Sequence, residues 1–155
     1  MKGQDMKEEI SVLFPFTVAI EAYVTIRRCH DELHRHVSRK LAQWGLSVPK
    51  YGVIRQLYEH VSLTSSELSK LVFCGNSNLT GLIDRMEREG LVQRIGSETD
   101  RRVKKIRLTL KGLELGSRVI GEHRAFLHEM MTNCLSADEQ RTLIDMLTRV
   151  KDSIR

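Results

Sequence analysis

Cationic side chains crowd one stretch of this chain. Residues 94–107 contain six arginines and lysines but only two carboxylates, in a protein whose formal net charge is +5. Charge concentrated in this way indicates a polyanionic partner. Asp100 can hold a neighbouring guanidinium through paired hydrogen bonds, and an arginine fixed at the tip of a ribbon suits the narrow, strongly negative minor groove of DNA. The pattern predicts DNA contacts from Arg94, Asp100, Arg101, Arg102 and Lys104.

Short polar side chains form a second candidate group, at the start of a predicted helix near residue 76. A helix that reads the major groove needs such side chains at its first turn and an apolar face behind them. A glycine in the middle of this helix costs about 1 kcal/mol relative to alanine, a cost that close approach to a DNA backbone would explain. The predicted contacts are Asn76, Ser77, Asn78, Thr80, Gly81 and Arg85, with Ser65 and Ser66 on the preceding helix.

The elements that must position these groups follow from apolar spacing and capping residues. A long helix from about Pro15 ends at Gly45, because glycine readily adopts the left-handed backbone of a helix C-terminus. A second helix starts near Val48, and a short third helix follows Thr64, which has the capping-box spacing to Glu67. The other predicted elements are a helix closed by Gly90, strands over 91–95 and 103–108, a helix over 110–133, and a final helix capped by Ser136.

A short capped helix, a tight turn, a second helix and a two-stranded hairpin are the parts of a winged helix-turn-helix. We therefore predict a mainly α fold with a small β-hairpin wing. Residues 46–109 would form the DNA-binding domain. Residues 1–45 and 110–155 would form N- and C-terminal helical dimerisation segments.

Several segments also carry a family resemblance. They are Thr64-Ser65-Ser66-Glu67-Leu68, the run SNLTGLIDRMEREGLV over 77–92, Asp100-Arg101-Arg102, and Leu108-Thr109-Leu110-Lys111-Gly112. With these motifs the chain resembles the MarR family of bacterial transcription regulators over roughly residues 48–115, and its helical ends fit in length and order.

The resemblance implies a homodimer with interlocking terminal helices, bound to a palindromic operator in double-stranded DNA, usually as a repressor. It implies that Ser77, Asn78 and Thr80 face the major groove and that Arg102 enters the minor groove. Many members release DNA when a small aromatic ligand, a metal or an oxidant acts on them. We accordingly expect no required cofactor, with a small aromatic molecule as the candidate effector.

Three groups of residues could sense such a signal. Candidates for the border of a ligand cavity are His30, His34, Trp44, Tyr51 and Tyr58, although aromatic residues on such stripes are more often plain core. His30 and His34 could also present two nitrogens to a metal, but a hydrogen-bonded interface is the simpler interpretation, and no metal site is predicted. Cys74 could be a redox-sensitive thiolate beside a helix N-terminus, while a small buried filler is the interpretation we favour.

Other function classes lack their sequence signals. The chain has no G-x-S-x-G, glycine-rich phosphate loop or HExxH, so no catalytic residues and no enzyme are expected. Asp84 and Arg88 are expected to form an ordinary i, i+4 ion pair. The longest apolar stretch, over 12–20, is too short to span a bilayer, and three scattered cysteines fit a reducing cytoplasm. Two alternatives stay open: a metal- or thiol-responsive regulator of the same fold, and a winged-helix module that binds RNA or protein without an operator.

Overall fold

The computed structural model describes residues 17–72, 76–96 and 104–154. The chain divides into two compact units, Met1–Val48 and Pro49–Arg155. The three-part division into 1–45, 46–109 and 110–155 stays a prediction. In the part of the chain that is described, no helix combines the length and the apolar content of a membrane span.

The first unit contains helix α1, Thr17–Ala42. Gly45 beyond its end has a φ of +69°, and the Leu46 N–H donates to the Leu41 carbonyl at 3.1 Å. This is the left-handed ending predicted from the glycine. The predicted start at Pro15 lies outside the described residues. Large apolar side chains exposed along α1 are Val18, Ile20, Tyr23, Ile26 and Leu33.

The remaining described elements follow in chain order. They are α2 (Val48–His60), β1 (Ser62–Thr64), α3 (Ser65–Leu71), α4 (Asn76–Arg88), β2 (Val92–Gly96), β3 (Lys104–Leu108), α5 (Leu110–Thr132) and α6 (Ala137–Ser153). The prediction of a mainly α fold with a small β wing is confirmed. The helices agree with their predicted positions to within a few residues.

Reciprocal capping boxes start two of these helices, as their spacing predicted. At α3, the Thr64 hydroxyl accepts from the Glu67 N–H at 3.2 Å, and the Glu67 carboxylate accepts from the Thr64 N–H at 2.7 Å. The backbone hydrogen bond from Thr64, followed by the one from its hydroxyl, lowers the pKa of Glu67 because both favour the charged carboxylate. Ser136 and Glu139 repeat the arrangement at α6.

Among the described residues, the sheet has three antiparallel strands in the order β1–β3–β2. Strands β2 and β3 form the predicted hairpin, with Val92 opposite Leu108 and Gly96 opposite Lys104. The sequence analysis predicted only two strands, and β1 on the far side of β3 corrects it. Just before β1, Val61 has a φ of +62°, which is unusual for a β-branched residue. A sharp turn therefore precedes β1. The strand has only three residues, which is too short for an alternation of apolar and polar side chains to be recognised in the sequence.

The core of the second unit is built from α2, α3, α4 and the sheet. Helix α3 contacts α4 and β3, and α4 contacts β2. The largest fully buried side chains of these elements are Ile54, Leu57, Leu68, Leu79, Ile83, Met86 and Ile106. Apolar burial on this scale is the main favourable contribution to folding, and it fixes α4 against its neighbours.

The start of α5 is tied to the turn that follows α4. The Thr109 N–H donates to the Leu91 carbonyl at 3.0 Å, and the Thr109 hydroxyl donates to the Gly90 carbonyl at 2.6 Å. Lys111 Nζ donates to the Glu89 carbonyl at 2.9 Å. We call this set of three hydrogen bonds the α4–α5 latch.

Two glycines let α5 approach its neighbours closely. A Cβ added at Gly112 would lie 2.1 Å from the Leu91 carbonyl oxygen, a distance that real Cβ atoms do not show. One turn further along, a Cβ at Gly116 would meet Tyr58 at 3.1 Å and Ile54 at 3.2 Å. Both glycines are buried. The backbone of α5 therefore lies close to the Leu91 carbonyl and to the side chains of α2.

Candidate nucleic-acid interface

Helix α4 turns one face to the core and the other to solvent. Its buried residues are Leu79, Leu82, Ile83 and Met86, which form the apolar face expected behind the polar first turn. Its exposed residues include Thr80, Asp84, Arg85 and Arg88. Burial of the first set holds the helix rigidly, while the second set forms a polar outer face that a partner can reach.

Gly81 lies on this outer face at a position where a side chain would fit. Among the described residues, the only atom within 4 Å of an added Cβ would be Nη1 of Arg85, at 3.6 Å. That distance is an ordinary van der Waals contact, so packing of the described residues does not require a glycine here. A surface that tolerates a side chain and yet has none is consistent with close approach of an external backbone.

Other predicted contacts lie on α3 and β3. Ser65 and Ser66 are exposed in the first turn of α3, and the Ser66 carbonyl accepts from the Ser69 hydroxyl at 3.0 Å. Lys104 is exposed at the start of β3. With Thr80 and Arg85 on α4, these residues place hydroxyl groups and cations at the exposed surface of three elements of the second unit.

Several of the predicted contact residues, or their side chains, are not among those that the structure describes. The backbone over 76–78 is helical, as predicted, but the side chains of Asn76, Ser77 and Asn78 are not described. Cys74 and the wing-tip residues Asp100, Arg101 and Arg102 also lie outside the described residues. Their roles in binding or redox sensing stay predictions.

Arg94 has partners that the sequence analysis did not anticipate. Its Nη2 donates to Asp84 Oδ1 at 2.5 Å, and its Nη1 donates to Glu87 Oε2. The hydrogen bond to Asp84 is the largest cause that raises the pKa of Arg94. Asp84 therefore pairs with Arg94 rather than with Arg88, which corrects the expected i, i+4 pair. The Arg94 guanidinium is thus paired with two carboxylates, and its DNA contact stays a prediction.

The predicted effector residues divide between the two units. In the first unit, His30 and His34 are exposed with their ring centroids 6.0 Å apart, and Lys40 Nζ lies 5.2 Å from the Trp44 ring centroid. Within the described ranges, no group of three or more His, Cys, Asp or Glu side chains could hold a metal ion.

In the second unit, Tyr58 is half exposed beside a groove of about 330 Å³ that Val61 and Leu113 also line. Tyr51 is buried, and its ring meets that of His123 edge-on with centroids 4.5 Å apart. These two predicted effector residues therefore have different surroundings within one unit.

His123 is a candidate functional residue that sequence reasoning did not single out. It is 5% exposed, and its Nδ1 is buried without a hydrogen-bond partner among the described residues. Burial is the main cause that lowers its pKa, and the nearby Arg55 cation lowers it further. The sequence signal was a histidine on an otherwise apolar stripe of α5, which alone does not separate a functional residue from a packed one.

Comparison with known proteins identifies the fold and its class of function. The MarR family model matches residues 46–104. The HTH-type transcriptional regulator PrsX of Escherichia coli is 30% identical over 129 residues, which are 82% of this chain and 76% of that protein. The chain belongs to the MarR family.

Two further similarities extend the comparison across most of the chain. The HTH-type transcriptional regulator MhqR of Bacillus subtilis is 25% identical over 132 residues, which are 85% of this chain and 90% of that protein. A crystal structure of a mutant MarR from Escherichia coli, complexed with operator DNA, has a TM-score of 0.76 at 24% identity and covers 87% of this chain and 96% of that one. The second similarity shows the fold. As a MarR-family member, the chain is a DNA-binding transcriptional regulator and not an enzyme.

Proposed function

We propose that this MarR-family chain is a homodimeric repressor that acts in the cytoplasm. Two copies of α4 enter successive major grooves of a palindromic operator, about 34 Å apart along the duplex. The wing formed by β2 and β3 reaches the flanking minor groove with Arg102. Repression follows sterically where the operator overlaps a promoter.

The outer face of α4 is the observation that carries this proposal. The helix is anchored by four buried apolar residues and braced by the capped helix α3. Its outer side combines Thr80 and Arg85 with a backbone position, Gly81, that carries no side chain. A rigid helix with hydroxyl and guanidinium groups beside a backbone without a side chain has the properties that major-groove recognition requires.

Exposed apolar faces on the terminal helices support the homodimer. Helix α6 has no buried residue, and its exposed large apolar side chains are Leu143, Ile144, Met146, Leu147 and Val150, with Ile154 just beyond its end. Helix α1 has a second such set. Monomeric proteins rarely leave apolar patches of this extent in water. A second copy of the chain covers both sets in the dimer.

A small aromatic effector completes the proposal, with Tyr51 and His123 as its polar contacts. The unpartnered Nδ1 of His123 supports this assignment, since buried polar atoms are rarely left without a hydrogen bond. An aromatic acid or phenol supplies both the missing group and a ring to pack on Tyr51. By linkage, such a molecule and DNA weaken each other's binding by the same factor. His30, His34, Trp44 and Tyr58 stay predicted contributors.

Selection from a random pool of duplexes tests DNA reading directly. We expect the purified protein to enrich a palindrome, with an affinity that falls steeply as salt rises because phosphate contacts release counterions. Benzoate and phenol are suitable first probes for release of the selected duplex. A protein that enriches no duplex at low ionic strength, or that prefers RNA, would contradict the proposal.

The Arg102→Ala variant tests the wing. We expect operator affinity to fall about tenfold or more, because a cation held in the minor groove is lost. The matched control is Arg141→Ala, which removes the same charge from an exposed ion pair on α6. Titration of both variants against the selected duplex should separate them. Equal affinities would remove the wing from the binding site.

A further inference from the structure

Three hydrogen bonds join one residue of the wing to one face of α4. The Arg94 guanidinium donates to Asp84 and Glu87, which lie three residues apart on the helix. The Arg94 backbone N–H donates to Glu87 Oε1 at 3.2 Å. We call this set the Arg94 strut. Its members come from β2 and α4, the two elements proposed to carry DNA contacts in different grooves.

The strut restrains both the position and the orientation of β2. Strand β2 is an edge strand of the described sheet, because the order is β1–β3–β2. The backbone N–H of Arg94 points away from β3, and Glu87 accepts its hydrogen bond. A guanidinium is a rigid planar fork, so bonds from two of its nitrogens to two carboxylates resist rotation as well as sliding.

Charge balance argues against a second role for Arg94. Its single positive charge faces two negative carboxylates, and its side chain is only 27% exposed. Moving the guanidinium to a phosphate would leave Asp84 and Glu87 without this partner beside a polyanion. Exposed cations such as Arg85 and Lys104 can approach DNA without that loss.

We propose that Arg94 is a positioning residue that holds the wing at a fixed angle to α4 and does not contact DNA. The inference rests on the proposed two-groove mode of binding. In this role, Arg94 allows α4 and the wing tip to enter adjoining grooves without ordering the wing at each encounter. Its two carboxylates belong to the DNA-binding machinery even though they have the charge that DNA repels.

The Arg94→Met and Arg94→Lys variants provide the first test. We expect operator affinity to fall about fivefold to tenfold in Arg94→Met, and less in Arg94→Lys, which keeps one ion pair but loses the fork. The slope of log affinity against log salt should stay at its wild-type value in both variants. Loss of a phosphate contact would instead reduce the slope by roughly 0.9, and that result would overturn the proposal.

The double variant Asp84→Asn, Glu87→Gln separates positioning from simple electrostatics. Removal of two negative charges should strengthen DNA binding if charge alone matters. We expect weaker binding to the operator, because the strut is lost. The matched control, Glu114→Gln with Glu122→Gln on α5, makes the same change in net charge away from the strut. If the strut double variant binds the operator as well as this control or better, the proposal fails.

Amide hydrogen exchange tests the strut without DNA. In Arg94→Met, exchange should speed up in β2 and β3, while α2 and α5 keep wild-type rates and so report an intact fold. Unchanged exchange in the wing would overturn the positioning role whether or not a duplex has been found. A wild-type protein that binds no duplex would instead refute the proposed function, and the exchange result would still decide whether the strut orders the wing.

Discussion

His123 and Arg94 illustrate how partners, rather than residue types, determine what a side chain does. Both residue types suggest several roles in a sequence: a cation for phosphate, an imidazole for metal or packing. In the structure, Arg94 is held by Asp84 and Glu87, ten and seven positions away. The sequence predicted that Asp84 on α4 forms an ion pair, but the i, i+4 spacing favoured Arg88 as its partner. Contacts formed through a turn and a strand are invisible to helical periodicity.

Stability should depend on pH through His123. Burial holds its pKa below the ordinary value of 6.5, so the unfolded chain takes up a proton first as pH falls. This contribution to stability is complete above about pH 6.5 and is lost as pH falls toward the lower folded pKa. Tyr51 and the cations of Arg55 and Arg124 lie around this site, and Arg55 disfavours protonation further.

The His123→Phe variant should therefore lose part of the acid destabilisation between pH 7 and pH 5, since it keeps a ring against Tyr51 but cannot take up a proton. Thermal unfolding midpoints across this range measure the effect. His128→Gln, at an exposed position of the same helix, is the matched control for the removal of a histidine. Parallel profiles for wild type and His123→Phe would contradict the prediction.

Elements with a local signal could be predicted, and those held by distant contacts could not. Gly45 and Gly90 both adopt a positive φ just after a helix, and Thr64 and Ser136 each cap the start of one. These features could be predicted because each depends on residues no more than four positions apart. Strand β1 escaped prediction because its pairing with β3 joins residues more than forty positions apart, as in Leu63 opposite Ile106. The polar start of α4 was predictable as a pattern, whereas the room for a side chain at Gly81 depends on how the surrounding side chains pack.

The packing of α5 can be tested with two glycines of one helix. Gly112→Ala places a Cβ against the Leu91 carbonyl, so the free energy of unfolding should fall by about 3 kcal/mol. Gly121→Ala is the control, because nothing lies within 4 Å of its added Cβ. It should instead gain up to about 1 kcal/mol from helix propensity. Urea denaturation with an unchanged m-value measures both. Equal effects would mean that the close approach at Gly112 does not contribute to stability.

The proposed dimer makes a prediction for the whole molecule. Leu147 is 40% exposed on the apolar stripe of α6, so Leu147→Glu should bury a charge in the dimer and shift the protein toward monomer. Operator affinity should fall with it, because a single α4 reads half a palindrome. The control is Thr148→Glu, which adds the same charge at the neighbouring exposed position. Sedimentation that gives the same mass for Leu147→Glu and wild type would remove this stripe from the interface.

The α4–α5 latch has a consequence for how such a regulator can change its target. Three hydrogen bonds from Thr109 and Lys111 reach the turn that ends α4, so we expect the end of α4 and the start of the 23-residue α5 to move together. A change in the tilt of α4 would then be transmitted along the length of α5. In the proposed complex with DNA, substitutions on the outer face of α4 alter which bases are preferred, while we expect its angle of approach to stay the same. Among related regulators, we therefore expect changes in DNA sequence preference to arise from substitutions of exposed side chains, while the spacing between the two half-sites stays the same for longer.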